Sequence, residues 1–337
     1  MFFQSDNAAA ACPEVLAAVA AAAPATAAGY DGDATSAQLD DAFGTLFGRA
    51  CTVLPVSTGT AANALALATM VPSFGAIACH AEAHIHVDEC GAPEFYTGGA
   101  KLLLVPGADG RLTPEGLDAG LANHRGDVHQ VQLRALSITQ ATEAGTVYTP
   151  DALAALGDHA RAKGWRVHMD GARFANAVAY LGCHPGDITW RVGVDILSFG
   201  MIKNGGMTAE ALVVFAPELV AELRFRRKRA GHMPSKGRFA AAQLLAMIAD
   251  DVWLRNAAVA NAGAARVAAA VAGRLLYPVE ANEVFVQLRP GEAERLRALG
   301  FGFYDWGAVG TDQARFVVGC DRAAADIGAL VAALGTG

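Results

Sequence analysis

Charge is scarce in this sequence. Only 18% of its 337 residues are Asp, Glu, Lys or Arg, and 26 basic residues against 33 acidic ones leave a net charge of −7. A nucleic-acid-binding protein would carry a basic face, so nucleic acid is not expected as a partner, nor is an anionic membrane surface. Cysteine is sparse as well: the 6 residues Cys12, Cys51, Cys79, Cys90, Cys183 and Cys320 are scattered and make no CxxC pair. A chain of this size does not depend on disulfide staples, so free thiols in a reducing, cytoplasmic compartment are expected. Long Leu/Ile/Val runs are missing. The Ala-rich segment Ala8–Ala28 contains Pro13, Glu14 and Pro24 and has no basic start, which argues against a signal peptide or a spanning helix and predicts a short helix near Glu14–Ala23. There is no GxxxxGK[ST] and no GxGxxG after a strand, so neither a P-loop nor a dinucleotide fingerprint is present.

What the chain has in quantity is apolar surface, 53% of residues, too much for a disordered polymer. Short β-rich runs alternate with helical ones. Strands are predicted at Cys51–Val56, Ala76–Cys79, Lys101–Val105, Val131–Thr139, Trp165–Met169, Ile196–Phe199 and Ala211–Phe215, several of them continuous apolar runs that suit strands covered on both faces. Helices are predicted at Gly59–Met70, Pro114–Ala122, Pro150–Lys163 and Phe174–Leu181; Pro114 and Pro150 each follow a threonine, as a capped helix start does. The alternation predicts an α/β fold with a mostly parallel central sheet. After Pro234 the pattern changes to a long helix-like stretch, Arg238–Arg274, with room for a kink at Asn256 and Gly263. Strand-like Val284–Leu288, helix-like Glu292–Leu299, strand-like Ala314–Val318 and a last helix, Ala323–Leu334, complete a smaller C-terminal α+β domain. The expected division is an arm over 1–30, a large domain over 31–235 and a small domain over 236–337.

Three features carry chemistry. Ser57-Thr58-Gly59-Thr60 follows a strand and opens a helix, where hydroxyls and unpaired N–H groups make an anion cup, although an ordinary capped helix looks similar. Asp170 and Arg173 follow the strand ending at Met169, on the rim where α/β proteins place ligands. Lys203, flanked by glycines, follows a buried strand, and a desolvated lysine there is suited to Schiff-base formation; a solvated loop lysine is the plainer alternative. Pyridoxal phosphate needs an anion cup for its phosphate, an Asp for its ring nitrogen and a lysine for its aldehyde, and the three occur here in order on successive βα units. His80, His84 and His86 lie close in sequence, but no compelling metal-ligand pattern accompanies them, and no metal is expected. The run Arg224–Arg229 reads as a solvated helix face.

With these features goes a set of segments: Ser5-Asp6-Asn7, Tyr30-Asp31-Gly32-Asp33, Ser57–Asn63, Glu82-Ala83-His84-Ile85, Glu89-Cys90-Gly91, Gln140–Tyr148, His168–Arg173 and Leu197–Gly206. Together they resemble the low-specificity threonine aldolases, phenylserine aldolase-like members included, over nearly the whole chain. The resemblance implies the aspartate aminotransferase-like fold (fold type I of the pyridoxal-phosphate enzymes). It also implies cleavage of a β-hydroxy-α-amino acid to glycine and an aldehyde in a homodimer or homotetramer with shared sites. It casts Lys203 as the lysine bound to the cofactor aldehyde, Asp170 as the partner of the ring nitrogen, Thr58, Gly59 and Thr60 as the phosphate cup, and His84 as the residue stacked on the ring. Ser5, Arg173 and Arg315 would bind the substrate carboxylate, with Arg173 also near the cofactor. His129 would be a second active-site histidine, Tyr30 a contributor across a subunit interface, and His84 or His129 the base. The chain departs from the family at Ser5–Ala9, at Met201-Ile202, and where an asparagine-threonine-histidine stretch gives way to Gln140-Ala141-Thr142. A β-eliminating lyase, transaminase or racemase on the same fold is the alternative reading, and a non-catalytic cofactor-binding regulator a more distant one.

Overall fold

In the computed structural model, which describes residues 1–24 and 26–335, seven strands form one sheet: β1 (Thr52–Val56), β2 (Gly75–His80), β3 (Lys101–Val105), β4 (Gln132–Thr139), β5 (Arg166–Gly171), β6 (Ile196–Phe199) and β7 (Glu210–Val214). Their order is β1-β7-β6-β5-β4-β2-β3, and β7 alone runs against the rest. Strands β2, β6 and β7 are buried along their whole length, as the continuous apolar runs predict for strands covered on both faces. Four helices of the large part lie where the alternation places them, at Gly59–Met70, Pro114–Gly120, Pro150–Lys163 and Phe174–Leu181. Thr113 and Thr149 cap theirs through the side-chain oxygen, with proline at the first helical position. No helix among the described residues is long and apolar enough to cross a membrane.

Beyond Pro234 the long helical stretch breaks in a different place from the one its glycine and asparagine suggest. It divides into Arg238–Ile248 and Val252–Ala270, with Asp250 and Asp251 at φ of 48° and 54° between them. Asn256 and Gly263 stay helical; Gly263 lies where the helix comes close to Val318 and Ile327. The second sheet, β8 (Glu283–Gln287), β9 (Tyr304–Trp306) and β10 (Gln313–Val317), is antiparallel in the order β8-β10-β9. The apolar clusters part within Val252–Ala270. Val252, Trp253 and Ala257 belong to the core under the large sheet, whereas Ala264, Val267 and Ala268 pack with β8 and β10.

The N-terminal residues cross to the second sheet before the first helix, Pro13–Ala22, begins. Phe3 is fully buried there, donates its N–H to Gly302 and accepts one from Val317. The run Arg224–Arg229 is helical, within Val220–Arg229, but it is not a solvated face throughout. Arg227 is buried, its Nε 2.6 Å from the carbonyl of Pro55 and its Nη1 paired with Asp31.

Candidate active site

The C-terminal ends of β1, β4, β5 and β6 open into one pocket lined by Asn7, Thr58, Gly59, Thr60, Asn63, His84, Glu89, Glu143, Asp170, Arg173, Lys203 and Glu210, among others. Close approach of backbones makes this possible. Strand β5 pairs with β6 so that Asp170 lies opposite Ser198, and a Cβ on Gly200 would stand 2.5 Å from the carbonyl oxygen of Ala172. Glycine at that position lets the Asp170 and Lys203 loops run side by side. The turn Ile202–Asn204 that carries Lys203 is anchored on every side. Glu210 of β7 accepts the N–H of Met201, Asn204 Nδ2 reaches the carbonyl of Trp253 at 2.7 Å, and Gly205 holds a φ of 100°. Lys203 itself is half-buried and forms no hydrogen bond or ion pair with any described residue.

Opposite the lysine, Asp170 is buried and fixed by two donors, Asn63 Nδ2 to Oδ2 at 2.7 Å and the N–H of Ala172 to Oδ1 at 3.0 Å. The amide of Asn63 also donates to Glu89 Oε1 at 2.8 Å, and Glu89 in turn meets His84 Nδ1 at 2.9 Å. That contact holds the imidazole pKa above its usual value, the hydrogen bond to Glu89 outweighing the loss of water. The ligand-type atoms of His84, Glu89 and Asp170 lie within 4.8 Å of one another, and Asn63 and the His84–Glu89 hydrogen bond already join them into one network. Beneath Asp170, His168 sits between Ser137 at 2.9 Å and Ser198 at 3.0 Å, and burial pushes it down to about 4, so it stays neutral. Burial pushes Glu143 and Glu210 up, each to about 7.

At the mouth of the pocket, Thr58 caps the helix Gly59–Met70 by accepting the N–H of Ala61 at 3.1 Å. The N–H groups of Gly59 and Thr60 meet no acceptor among the described residues, and a Cβ on Gly59 would meet nothing within 4 Å. An open, unsatisfied helix start, a fixed buried carboxylate and an unpartnered lysine around one cavity are the donor set that pyridoxal phosphate requires, and the residues fit it.

The pocket gathers Thr58, Gly59, Thr60, His84, Asp170, Arg173 and Lys203 from the expected set. Four expected residues stand outside its lining. His129 is exposed on the loop beside β3, close to Lys101 and His124, so this pocket holds no second histidine from that segment. Tyr30, at φ of 57°, is exposed on another face with Lys228 over its ring. Ser5 accepts the N–H of Asn7 at 3.1 Å, and it is Asn7 that reaches the pocket. Arg315 lies behind Arg173 against the rings of Tyr304 and Trp306. Both arginines meet carboxylates of the chain. Arg173 pairs with Asp6 through Nε at 2.8 Å and Nη2 at 2.9 Å, and the buried Glu283 lies 3.3 Å from Arg173 and 3.7 Å from Arg315. His80, buried, turns to the carbonyl of Gly107 at 3.0 Å, and His86 is exposed. Reading along the sequence did not single out Glu143, Glu210 or Glu283. Acidic residues are common, and only their burial around the lysine distinguishes these three.

Comparison with known proteins agrees with this geometry. Residues 3–290 match the β-eliminating lyase family. The chain is 44% identical to the low specificity L-threonine aldolase of Pseudomonas aeruginosa over 323 residues, 95% of this chain and 92% of that one. It is 41% identical to the enzyme of the same name from a Pseudomonas species over 334 residues, 98% and 96% of the two chains. Among solved structures, a threonine aldolase of Leishmania major superposes with a TM-score of 0.93 at 26% identity, covering 99% and 98% of the two chains. A probable N-succinyldiaminopimelate aminotransferase of Thermus thermophilus, at 0.73 and 16% identity, shares the fold over 99% of this chain and 93% of its own. The chain therefore belongs to the β-eliminating lyase family and, within it, to the low-specificity threonine aldolases, pyridoxal-phosphate-dependent carbon–carbon lyases of fold type I.

Proposed function

We propose that this enzyme cleaves β-hydroxy-α-amino acids, with threonine, allo-threonine and phenylserine as the substrate class, into glycine and an aldehyde by retro-aldol chemistry. The observation that carries the reading is the shared pocket in which Lys203, unpartnered, faces Asp170, fixed by Asn63 and Ala172. Bound there through Lys203, the cofactor supplies an electron sink for the pair released when the Cα–Cβ bond breaks. The other steps fall to the chain. Asp170, fixed by Asn63 and the N–H of Ala172, would face the ring nitrogen and hold its proton in place. Thr58, Gly59 and Thr60 take the phosphate. His84 offers its ring face for stacking. Arg173, set by Asp6, offers the substrate carboxylate a cation at the pocket wall, which would fix the orientation of the Cα–Cβ bond; Arg315 stands behind it, drawn to the same Glu283.

Two or four copies with shared sites fit the exposed faces. Phe95 and Phe225 are 78% and 79% exposed on one side, and Tyr30 stands beside Lys228 on the surface. In that reading Tyr30 belongs to the neighbour's site. The reading is tested by offering L-threonine, L-allo-threonine and both phenylserine diastereomers and measuring glycine. Equal amounts of glycine and aldehyde are expected, borohydride should fix the cofactor to Lys203, and Lys203→Ala should release no glycine. Keto-acid in place of glycine would mean a transaminase.

A further inference from the structure

The loop after β4 brings into the pocket a carboxyl group with one oxygen occupied and the other unsatisfied. Glu143 Oε1 accepts the N–H of His84 at 2.7 Å and the hydroxyl of Thr139 at 2.9 Å. Its Oε2 has no hydrogen-bond partner among the described residues, yet the side chain lines the same cavity as Lys203. A carboxylate fixed through one oxygen, with its second left without a donor beside a substrate cavity, is placed to exchange a proton with whatever the cavity holds.

We propose that Glu143 is the acid–base group that takes the β-hydroxyl proton of the substrate as its Cα–Cβ bond breaks. This deepens the aldolase reading and rests on it. The step balances. The O–H bond breaks and its proton goes to Glu143 Oε2. The oxygen's electron pair becomes the second bond of the aldehyde carbonyl. The Cα–Cβ pair stays with Cα, and accepting it is the chemistry the cofactor would supply when held by Lys203. In the direction of synthesis the same carboxyl returns the proton.

Its surroundings suit that exchange. Loss of water and, after it, the charge of Asp170 favour the neutral acid that the step creates, and burial brings the carboxyl up to about 7, where both forms are accessible near neutral pH. The titratable groups around it are Asp170 and Arg173 from the end of β5, His84 through its backbone, Cys79 of β2, and Tyr148 further along the same loop. Of these Arg173 is the one permanent cation, and it is held by Asp6 and Glu283. His84 is the rival base. Its Nδ1 is engaged by Glu89, and that contact favours the doubly protonated imidazolium, which has no lone pair to accept a proton. His129, the other histidine that the sequence suggests, lies outside the pocket.

The test is Glu143→Gln in the cofactor-loaded enzyme, since glutamine keeps both hydrogen bonds through its carbonyl oxygen and loses only the ability to take a proton. Cleavage of L-threonine should fall about 10²–10⁴-fold with KM little changed, and the rise of kcat with pH through about 7 should disappear. The cofactor's absorption band should be unchanged, and exchange of glycine's α-proton into deuterated water, which needs the cofactor and Lys203 but no β-hydroxyl, should persist. Independently of turnover, carbon-13 NMR of the loaded wild-type enzyme should show a glutamate carboxyl titrating near 7 that is missing from Glu143→Gln. Cleavage at the wild-type rate, or cleavage and exchange falling by the same factor, would overturn the proposal. If Glu143→Gln fails to hold the cofactor, Glu143→Asp decides: a slower kcat with the pH rise retained supports the role, and an unchanged kcat refutes it. A wild-type enzyme that exchanges glycine's proton but releases no glycine from any β-hydroxy amino acid would instead refute the aldolase reading itself.

Discussion

Asp170, Asn63, Glu89 and His84 form a single chain of hydrogen bonds, and the protonation of its last member depends on the one before. Glu89→Gln keeps a polar side chain of the same shape but replaces the carboxylate that accepts the hydrogen bond raising His84 with a weaker neutral amide, so the imidazole pKa should drop, as NMR of its ring protons would show. The stability effect has a definite sign. A histidine whose folded pKa is raised contributes stability that is fully present below its unfolded value near 6.5 and is lost as pH rises through the folded value. The melting temperature of Glu89→Gln should therefore lie further below wild type at about pH 6 than at about pH 9, and equal gaps at the two pH values would contradict the linkage. At this scale the sequence was partly legible. Thr58, Asp170 and Lys203 could be found because each stands at or just beyond the C-terminal end of a strand, a position that itself suggests function. Asn63 sits inside the helix Gly59–Met70 and looks like any helix residue, and Glu143 one place beyond the Gln140-Ala141-Thr142 stretch looks like any loop acid. Their roles arise from partners distant in sequence, 107 positions away for Asn63 and Asp170 and 59 for Glu143 and His84.

Elements were the most legible level, because period and caps are local properties. Every strand but β9 falls within a residue or two of the run that predicts it, and Pro150–Lys163 begins where its threonine cap and proline say it should; the three-residue β9 has no such run. The helix Leu39–Phe47 is likewise not predicted, and the break in the stretch after Pro234 falls elsewhere than expected. It falls at Asp250–Asp251, where two aspartates adopt left-handed conformations that local propensity does not announce. Packing between elements also reverses local expectations. Gly157 lies in the middle of Pro150–Lys163, and propensity alone says that alanine there should add about 1 kcal/mol of stability. The structure predicts the opposite, because a Cβ at that position would stand 1.8 Å from the carbonyl oxygen of Val192, in the turn Trp190–Val192 that packs on the helix. Gly157→Ala should lose about 1–3 kcal/mol by urea denaturation as the turn is pushed away; a gain would mean that the helix and turn do not meet as closely as this.

Over the whole molecule, the N-terminal segment ties the two sheets to the pocket. Phe3 is embedded with β8 and β10, and three residues later Asp6 is buried between Arg173 of the large part and Asn282 just ahead of β8. Burial alone would raise the Asp6 carboxyl; the charges of Arg173 and Lys203, with the hydrogen bonds from Arg173 and Asn282, together reverse this and hold it below the usual carboxylate range. A depressed carboxyl contributes stability that is present above its unfolded value near 3.8 and is lost as pH falls through the folded one, so this link should persist at neutral pH and fail only in acid. Asp6→Asn removes the charge but keeps the volume and leaves Arg173 with Glu283 alone. Removing one member of a buried ion pair costs about 3–5 kcal/mol, and the remaining Glu283 places the expected loss at the lower end. The same change should raise KM for the amino acid substrate more than it lowers kcat, because the arginine that meets the carboxylate would no longer be oriented while Lys203 and Asp170 keep their places. Should stability fall with KM unchanged, Asp6 would be a structural pin and Arg173 would not be the residue that receives the substrate carboxylate.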